Sequence, residues 1–302
     1  YLAGHTWSSA GIATAGSYQP AKAGSYDAFL VKFDGAGVRQ WATYYGGPTE
    51  ERGTAHVAAN QVTGDVYLAG QTLSLTGIAS GGFQNSYSNA GGGGWTNGFL
   101  VKFNSSGARQ WATYYGAGYE ESCSAAIDPS GNVYLAGITG SNVGIASGGF
   151  DASFNGFYDA FLVKFSSAGA RQWATYYGGT GGEGEGSAAT DASGNVYLSG
   201  TSDGFSNIAT AGSHQPVFGG GGTDMFLVKF NSAGSRLYAT YYGGTNTEEG
   251  GIGALATDAA NNVYLTGDAY STTGIASAGF QNSLMTQENP FVAVFDATGV
   301  RL

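Results

Sequence analysis

A block of about 65 residues occurs five times along this chain of 302, and any fold proposed for it has to repeat with the same period. Phe-Leu-Val-Lys-Phe begins at Phe29, Phe99, Phe161 and Phe226, and returns as Phe-Val-Ala-Val-Phe at Phe291. The intervals are 70, 62, 65 and 65 residues. Arg-Gln-Trp-Ala-Thr-Tyr-Tyr-Gly follows from Arg39, Arg109 and Arg171, with Arg-Leu-Tyr-Ala-Thr-Tyr-Tyr-Gly from Arg236. Tyr-Leu-x-Gly stands at Tyr1, Tyr67, Tyr134, Tyr197 and Tyr264. The later copies of that block are preceded by runs from Asp128, Asp191 and Asp258 of the form Asp-x-x-Gly/Asn-Asn-Val.

Each copy parses into four short strands. The third copy shows the pattern's parts: a small apolar strand (Ser124–Ile127), a tight turn, and a second strand over 132–137. A long Gly/Ser-rich loop leads to a third strand over 161–165, and a Ser167-Ala168-Gly169 turn to a fourth over 171–177. The turn residues are those of hairpins. Phe161, Val163 and Phe165 face one way and Leu162 the other. A strand apolar on both faces needs cover on both. Four-stranded sheets stacked around an axis supply it, small first strands innermost and large aromatics filling the widening wedge. The expectation is therefore an all-β fold, a β-propeller of four-stranded antiparallel blades, spanning 1–302 as one domain. A β-solenoid is the runner-up, but its repeats are usually shorter. Five second strands and four first strands are present, so the chain reads as a fragment of a longer propeller with an incomplete blade at each end.

Glycine at 54 residues and a charged content of 11% would suit disorder, but 14% aromatic residues supply the apolar surface that disordered chains lack. The net charge of −10 disfavours nucleic acid and anionic membranes as partners. No apolar run is long enough to span a bilayer. Cys123 is the only cysteine, so no internal disulfide forms.

Asp159-Ala160-Phe161-Leu162-Val163-Lys164-Phe165, then Arg171-Gln172-Trp173-Ala174-Thr175-Tyr176-Tyr177-Gly178-Gly179, then Asp191-Ala192-Ser193-Gly194-Asn195-Val196-Tyr197-Leu198, together resemble the bacterial SBBP β-propeller repeat. The resemblance runs through the whole chain. It implies a propeller in large secreted or surface-anchored bacterial proteins, some of which carry a tail for type IX secretion. It implies little about activity.

Acidic pairs precede the first strands: Glu50 and Glu51, Glu120 and Glu121, Glu183 and Glu185, Glu248 and Glu249. Placed in loops at the mouth of a propeller channel, they form a candidate ring of hard oxygen ligands suited to Ca²⁺. The alternative is that each accepts backbone N–H bonds or faces water. The loop portions that vary between copies offer candidate ligand contacts, Trp95 beside Gly91–Gly94, Phe157 and Tyr158, and His214, where aromatic bodies stack on sugar rings. The recurring Gly-Ile-Ala part of those loops (from Gly11, Gly77, Gly144 and Gly274, with a variant at Asn207) reads as structural. So do Lys32, Lys102, Lys164 and Lys229, the strand-opening arginines, and the turn aspartates. Cys123 reads as a buried inert thiol. His5, His56 and His214 have no zinc-ligand spacing.

Because the ionisable residues recur with the repeat, the leading expectation is a non-catalytic structural or adhesive module at the bacterial surface, binding proteins or glycans. One alternative is a carbohydrate-active enzyme using two channel-mouth glutamates, which requires carboxyls in distinct environments. Another is a filament subunit that self-associates through strand edges.

Overall fold

The computed structural model describes residues 1–90, 95–204, 208–251, 254–277, 279, 281–283 and 287–302. Among them every regular element is a strand, and no helix is long and apolar enough to cross a membrane. The contacts cluster into two compact units: Tyr1–Ile127 with Gly131–Ile145 and Lys164–Gln172, and Asp128–Ser130 with Ala146–Val163 and Trp173–Leu302.

In the first unit β1 (Leu2–Thr6), β2 (Asp27–Phe33) and β3 (Arg39–Tyr45) form a three-stranded antiparallel sheet. β4 (Glu51–Ala59), β5 (Val66–Thr72), β6 (Asn97–Phe103) and β7 (Arg109–Tyr115) form a four-stranded antiparallel sheet in chain order. β8 (Glu120–Ile127) and β9 (Val133–Thr139) make the next hairpin. The boundary between the units passes through β10 (Asp159–Phe165) and β11 (Arg171–Tyr177).

In the second unit β12 (Glu183–Thr190), β13 (Val196–Ser202), β14 (Asp224–Phe230) and β15 (Arg236–Tyr242) repeat the four-stranded sheet. The last copy has its first strand in two pieces, β16 (Glu248–Glu249) and β17 (Leu255–Thr257), both pairing with β18 (Val263–Ala269), which pairs on its other side with β19 (Asn289–Phe295). The four-strand parse is thus the observed one in the complete copies, β4–β7 and β12–β15 among them, while the first copy has three strands.

Turn chemistry sets the hairpins. Asn104 Oδ1 accepts from Ser106 N and Ala108 N at 3.1 and 2.9 Å, and Gly107 follows at φ +84°. Asp191 Oδ1 does the same for Ser193 N and Asn195 N at 3.0 and 2.9 Å. A short side chain that bonds the backbone two residues on, followed by a left-handed residue, closes such a turn with little strain.

Within each unit the core sits between sheets of successive copies. Phe103 is fully buried under Tyr18, Trp41 and Tyr45 of the preceding copy, with ring centroids 5.8, 6.4 and 5.9 Å away. Phe33, its counterpart in the first copy, is 40% exposed. Adjacent copies therefore complete each other's cores, as repeat units do.

Polar latches reinforce the seam. Trp41 Nε1 donates to Ser105 O, Trp111 Nε1 to Ser167 O and Trp173 Nε1 to Ser232 O, all at 3.0 Å. Lys32 and Lys102 Nζ reach the same turns at Ser105 O and Ser167 O (3.0 and 3.2 Å), and Lys229 reaches Ala297 O at 3.0 Å. Each lysine also lies over a tyrosine of the second strand, Tyr1, Tyr67 and Tyr197. Lys102 pairs with Asp65 at 2.9 Å and Lys229 with Asp191 at 3.1 Å.

The recurring loop isoleucines are buried (Ile78, Ile145, Ile208, Ile275). Their carbonyls accept the phenols of the preceding copy, Tyr45 onto Ile78 and Tyr115 onto Ile145 at 2.6 Å, and Tyr177 onto Ile208 at 2.5 Å. Arginines from the fourth strand stack on the loop aromatic of the copy before: Arg109 on Tyr18, Arg171 on Phe83, Arg236 on Phe150. The strand-opening arginines and mid-strand lysines are thus structural parts of the repeat. The loop portions at Asn207 and Gly91–Gly94 lie outside the described residues.

Candidate functional site

The acidic residues do not sit in loops, as expected, but open the first strands: β4 starts at Glu51, β8 at Glu120, β12 at Glu183 and β16 at Glu248. β4, β8 and β12 extend back this far by absorbing an irregularity, between Arg52 and His56, Glu121 and Ser124, and Gly184 and Ser187. Such a bulge lets pairing resume beyond an extra residue or two.

One glutamate at the start of each of these four first strands is buried, and it bridges two successive copies. Glu51 Oε2 accepts Gly47 N at 3.1 Å, and Oε1 accepts the Thr72 hydroxyl at 2.7 Å. Glu183 repeats this with Gly179 N at 3.1 Å and Ser202 Oγ at 2.7 Å. Glu248 takes Gly244 N at 2.8 Å and Ser271 N at 3.1 Å, and Glu120 takes Gly118 N at 3.1 Å and Thr139 Oγ1 at 2.9 Å. Each carboxyl thus fastens the turn that follows the fourth strand to the end of the second. The remaining four differ. Glu50 is held by Arg52 and Ser25 near the surface, and those contacts hold its carboxyl below the usual range. Glu121 and Glu249 lie one residue beyond the buried glutamate, and Glu185 adopts a left-handed φ of 53° with Glu249 and Asp268 near it. Among the described residues no group of three or more His, Cys, Asp or Glu side chains is placed to share a metal ion.

A partner unnoticed in the sequence faces each buried glutamate: the residue opening the third strand, Asp27, Asn97, Asp159 or Asp224, all fully buried. Its recurrence directly before the Phe-Leu-Val-Lys-Phe block, after one spacer residue, was the available signal. Asp27 Oδ2 accepts Gln19 Nε2 and Ala23 N at 2.7 and 2.8 Å, fastening the long loop. Asp224 Oδ2 accepts Gly219 N and Gln215 Nε2 at 2.6 and 3.0 Å, and Asp159 Oδ2 accepts Asn155 N at 3.1 Å. Burial drives these acids toward their neutral form, Glu51 to about 7 and Glu183 to about 8, with Asp27 and Asp159 adding to the effect. Burial likewise raises Asp159 to about 6 and Asp224 to about 7, and raises Glu120 and Glu248.

This pair explains the glycine after each Tyr-Tyr. A Cβ on Gly178 would overlap Glu183 Oε2 and stand 2.6 Å from Asp159 Oδ1. A Cβ on Gly243 would overlap Asp224 and stand 2.6 Å from Glu248 Oε2.

Of the loop aromatics, Trp95 is 50% exposed with its ring 5.1 Å from Tyr119, and Phe157 is 79% exposed. They hold equivalent places, each two residues before the third strand. Tyr158 is partly exposed, and its carbonyl accepts Glu183 N at 2.8 Å. His214 fills the position of Tyr18 and Phe83, stacked 6.1 Å from Tyr242 and edge-on to Phe295 at 5.6 Å. It is an exposed ring packed on the seam, and partial burial together with Arg301 lowers its pKa.

His56 lies in β4, where its Nδ1 accepts Ala125 N at 3.2 Å from the first strand of the next copy. Cys123 is buried and free, and its Sγ fills the space that a Cβ on Gly98 would need. No protein-family model matches the chain, and no curated protein matches it.

Proposed function

We propose that the chain is part of a β-propeller whose sheets are its blades, and that it acts as a non-catalytic binding or scaffolding module at a bacterial cell surface. The observation that carries this reading is the use of ionisable side chains by the repeat itself. The four buried glutamates are 1, 0, 2 and 0% exposed and hold equivalent bonds. An acid/base pair needs carboxyls in contrasting, accessible environments. Lysines, arginines and turn acids are equally engaged. What varies between copies, and reaches solvent, is the segment before the third strand, with Trp95 and with Phe157 and Tyr158.

The propeller reading is supported by complete four-stranded antiparallel sheets in chain order. It is supported also by small-residue first strands lying side by side within each unit, β4 beside β8 and β12 beside β17. The surface location follows from the resemblance to the SBBP repeat. Partners of the exposed aromatics are surface glycans or proteins, since apolar rings beside polar backbone suit sugar stacking and protein anchoring alike. The test is binding of the chain to a glycan array and to immobilised bacterial surface proteins, beside Trp95→Ala and Phe157→Ala variants. Binding that weakens at least tenfold in the variants supports the reading. Binding unaffected by both, or turnover of a bound glycan, overturns it.

A further inference from the structure

Four copies of one buried motif occur, and one of them carries a natural substitution. In the second copy the third strand opens with Asn97. Its Oδ1 accepts Ser88 N at 2.9 Å, which turns the amide nitrogen toward Ser88 O (2.9 Å) and Glu120 Oε2 (3.3 Å). A neutral donor therefore stands opposite the buried glutamate. In the third and fourth copies an aspartate holds this place. Its Oδ2 accepts the loop backbone as Asn97 Oδ1 does. Its Oδ1, where the amide nitrogen would be, is buried without a hydrogen-bond donor in both Asp159 and Asp224. In each case that oxygen and the glutamate Oε2 converge on one point, the missing Cβ of Gly178 or of Gly243.

Two ionised carboxylates cannot face one another in a dry site without a large penalty. The charged groups that approach these pairs from the packed elements make matters worse: Asp151 for Asp159, and Asp203 for Glu183. The phenols of Tyr177, Tyr241 and Tyr242 are the other titratable groups nearby. Among the described residues neither pair has a basic side chain in ion-pair contact.

We propose that Asp159–Glu183 and Asp224–Glu248 each bind one proton, as a carboxyl–carboxylate hydrogen bond that joins the long loop of the copy to the turn after its fourth strand. The proton does for the aspartate what the amide does for Asn97. A bond between a carboxyl and a carboxylate is charge-assisted and short. The pair titrates as a unit, so the proton belongs to both residues. In the third copy Phe157 and Tyr158 lie directly before Asp159, so the proton governs the anchoring of the exposed segment.

The pH dependence has a definite sign. Below about pH 4 the folded and unfolded chains both hold the protons, and each pair contributes fully. Between there and the range in which burial holds these groups, about 6 to 8, only the folded chain keeps them. Stability therefore falls as pH rises through that range. Each pair changes the unfolding equilibrium by up to about tenfold per pH unit.

The experiment is urea unfolding of the chain at pH 5, 6, 7 and 8, for the native protein, the Asp159→Asn/Asp224→Asn double variant and Asn97→Asp. The native midpoint should fall with pH. The double variant should lose up to about a hundredfold per pH unit of that dependence and exceed the native protein at pH 8. Asn97→Asp should lie nearest the native protein at pH 5 and fall further below it by pH 8. A double variant with the native pH profile overturns the proposal, as does an Asn97→Asp variant without added pH dependence. Added Ca²⁺ that restores native stability at pH 8, in a manner lost in the double variant, also overturns it, since the pairs would then hold a cation.

Discussion

The seam between the last two copies carries a defect that one substitution should repair. Trp41, Trp111 and Trp173 each give an indole N–H to a turn carbonyl of the next copy, at 3.0 Å. In the fourth copy the residue is Tyr238, and its hydroxyl is buried with no hydrogen-bond partner. Burial, reinforced by Asp296 and Asp191, raises the pKa of that phenol, so ionisation offers no escape. The acceptor that the indoles use has its counterpart in Ala297 O, already reached by Lys229. The floor is alike too. A Cβ on Gly299 would stand 2.9 Å from the Tyr238 ring, against 2.9 Å between Gly234 and Trp173. Tyr238→Trp therefore removes an orphaned hydroxyl, worth about 1–3 kcal/mol, and adds a hydrogen bond worth about 0.5–1.5 kcal/mol. With some loss to repacking, a net gain of about 1–3 kcal/mol is expected. Tyr238→Phe isolates the first contribution and should gain about 1 kcal/mol or more. Native-state hydrogen exchange of the β15 and β19 amides reads the gain where it arises, and urea unfolding reads it for the chain. The reasoning fails if Tyr238→Phe is neutral or destabilising, which would mean that the hydroxyl is already satisfied, by water for example. It fails also if Tyr238→Trp slows no exchange in β15.

Three further outcomes follow from the same geometry. Trp111→Ala removes a nearly buried indole from the first unit, and urea unfolding should show a loss of about 3–5 kcal/mol. Gly178→Ala should cost at least about 2–3 kcal/mol because its methyl meets the Asp159–Glu183 pair, whereas Gly194→Ala meets nothing and should cost only the left-handed backbone penalty, about 1–2 kcal/mol. Equal losses in the two variants would argue against the crowded pair. Cys123, whose thiol burial pushes to a high pKa, should react with a thiol reagent only as fast as the chain opens, and rapid labelling of the native protein would contradict its packing beside Gly98.

Much of the candidate site was legible as positions but not as roles. The glutamates stood out because they recur before small-residue strands, yet one in each pair is a buried fastener and the other is not. Glu50 and Glu51 are neighbours in sequence, but Glu51 faces Thr72 and Gly47 while Glu50 meets Arg52. Which neighbour turns inward depends on the strand register and its bulge, and those depend on pairing with a strand some twenty residues away. His214 shows a related limit: its place in the copy, that of Tyr18 and Phe83, a ring packed against the next copy, becomes visible only once the copies stack.

The amino-acid order by itself determined the period, the strands of each copy and the turns between them. These rest on local chemistry: alternating apolar residues, Asp or Asn opening a turn, and glycine where φ is positive. Repetition made that local signal unmistakable. The tertiary structure alone decided which polar groups meet. Asp159 and Glu183 are separated by a whole hairpin, and their sharing of one buried site follows from side chains converging over a glycine with no room for a Cβ. Whether a carboxyl keeps its proton depends on desolvation and on the group opposite, and both come into being only when distant strands pack together.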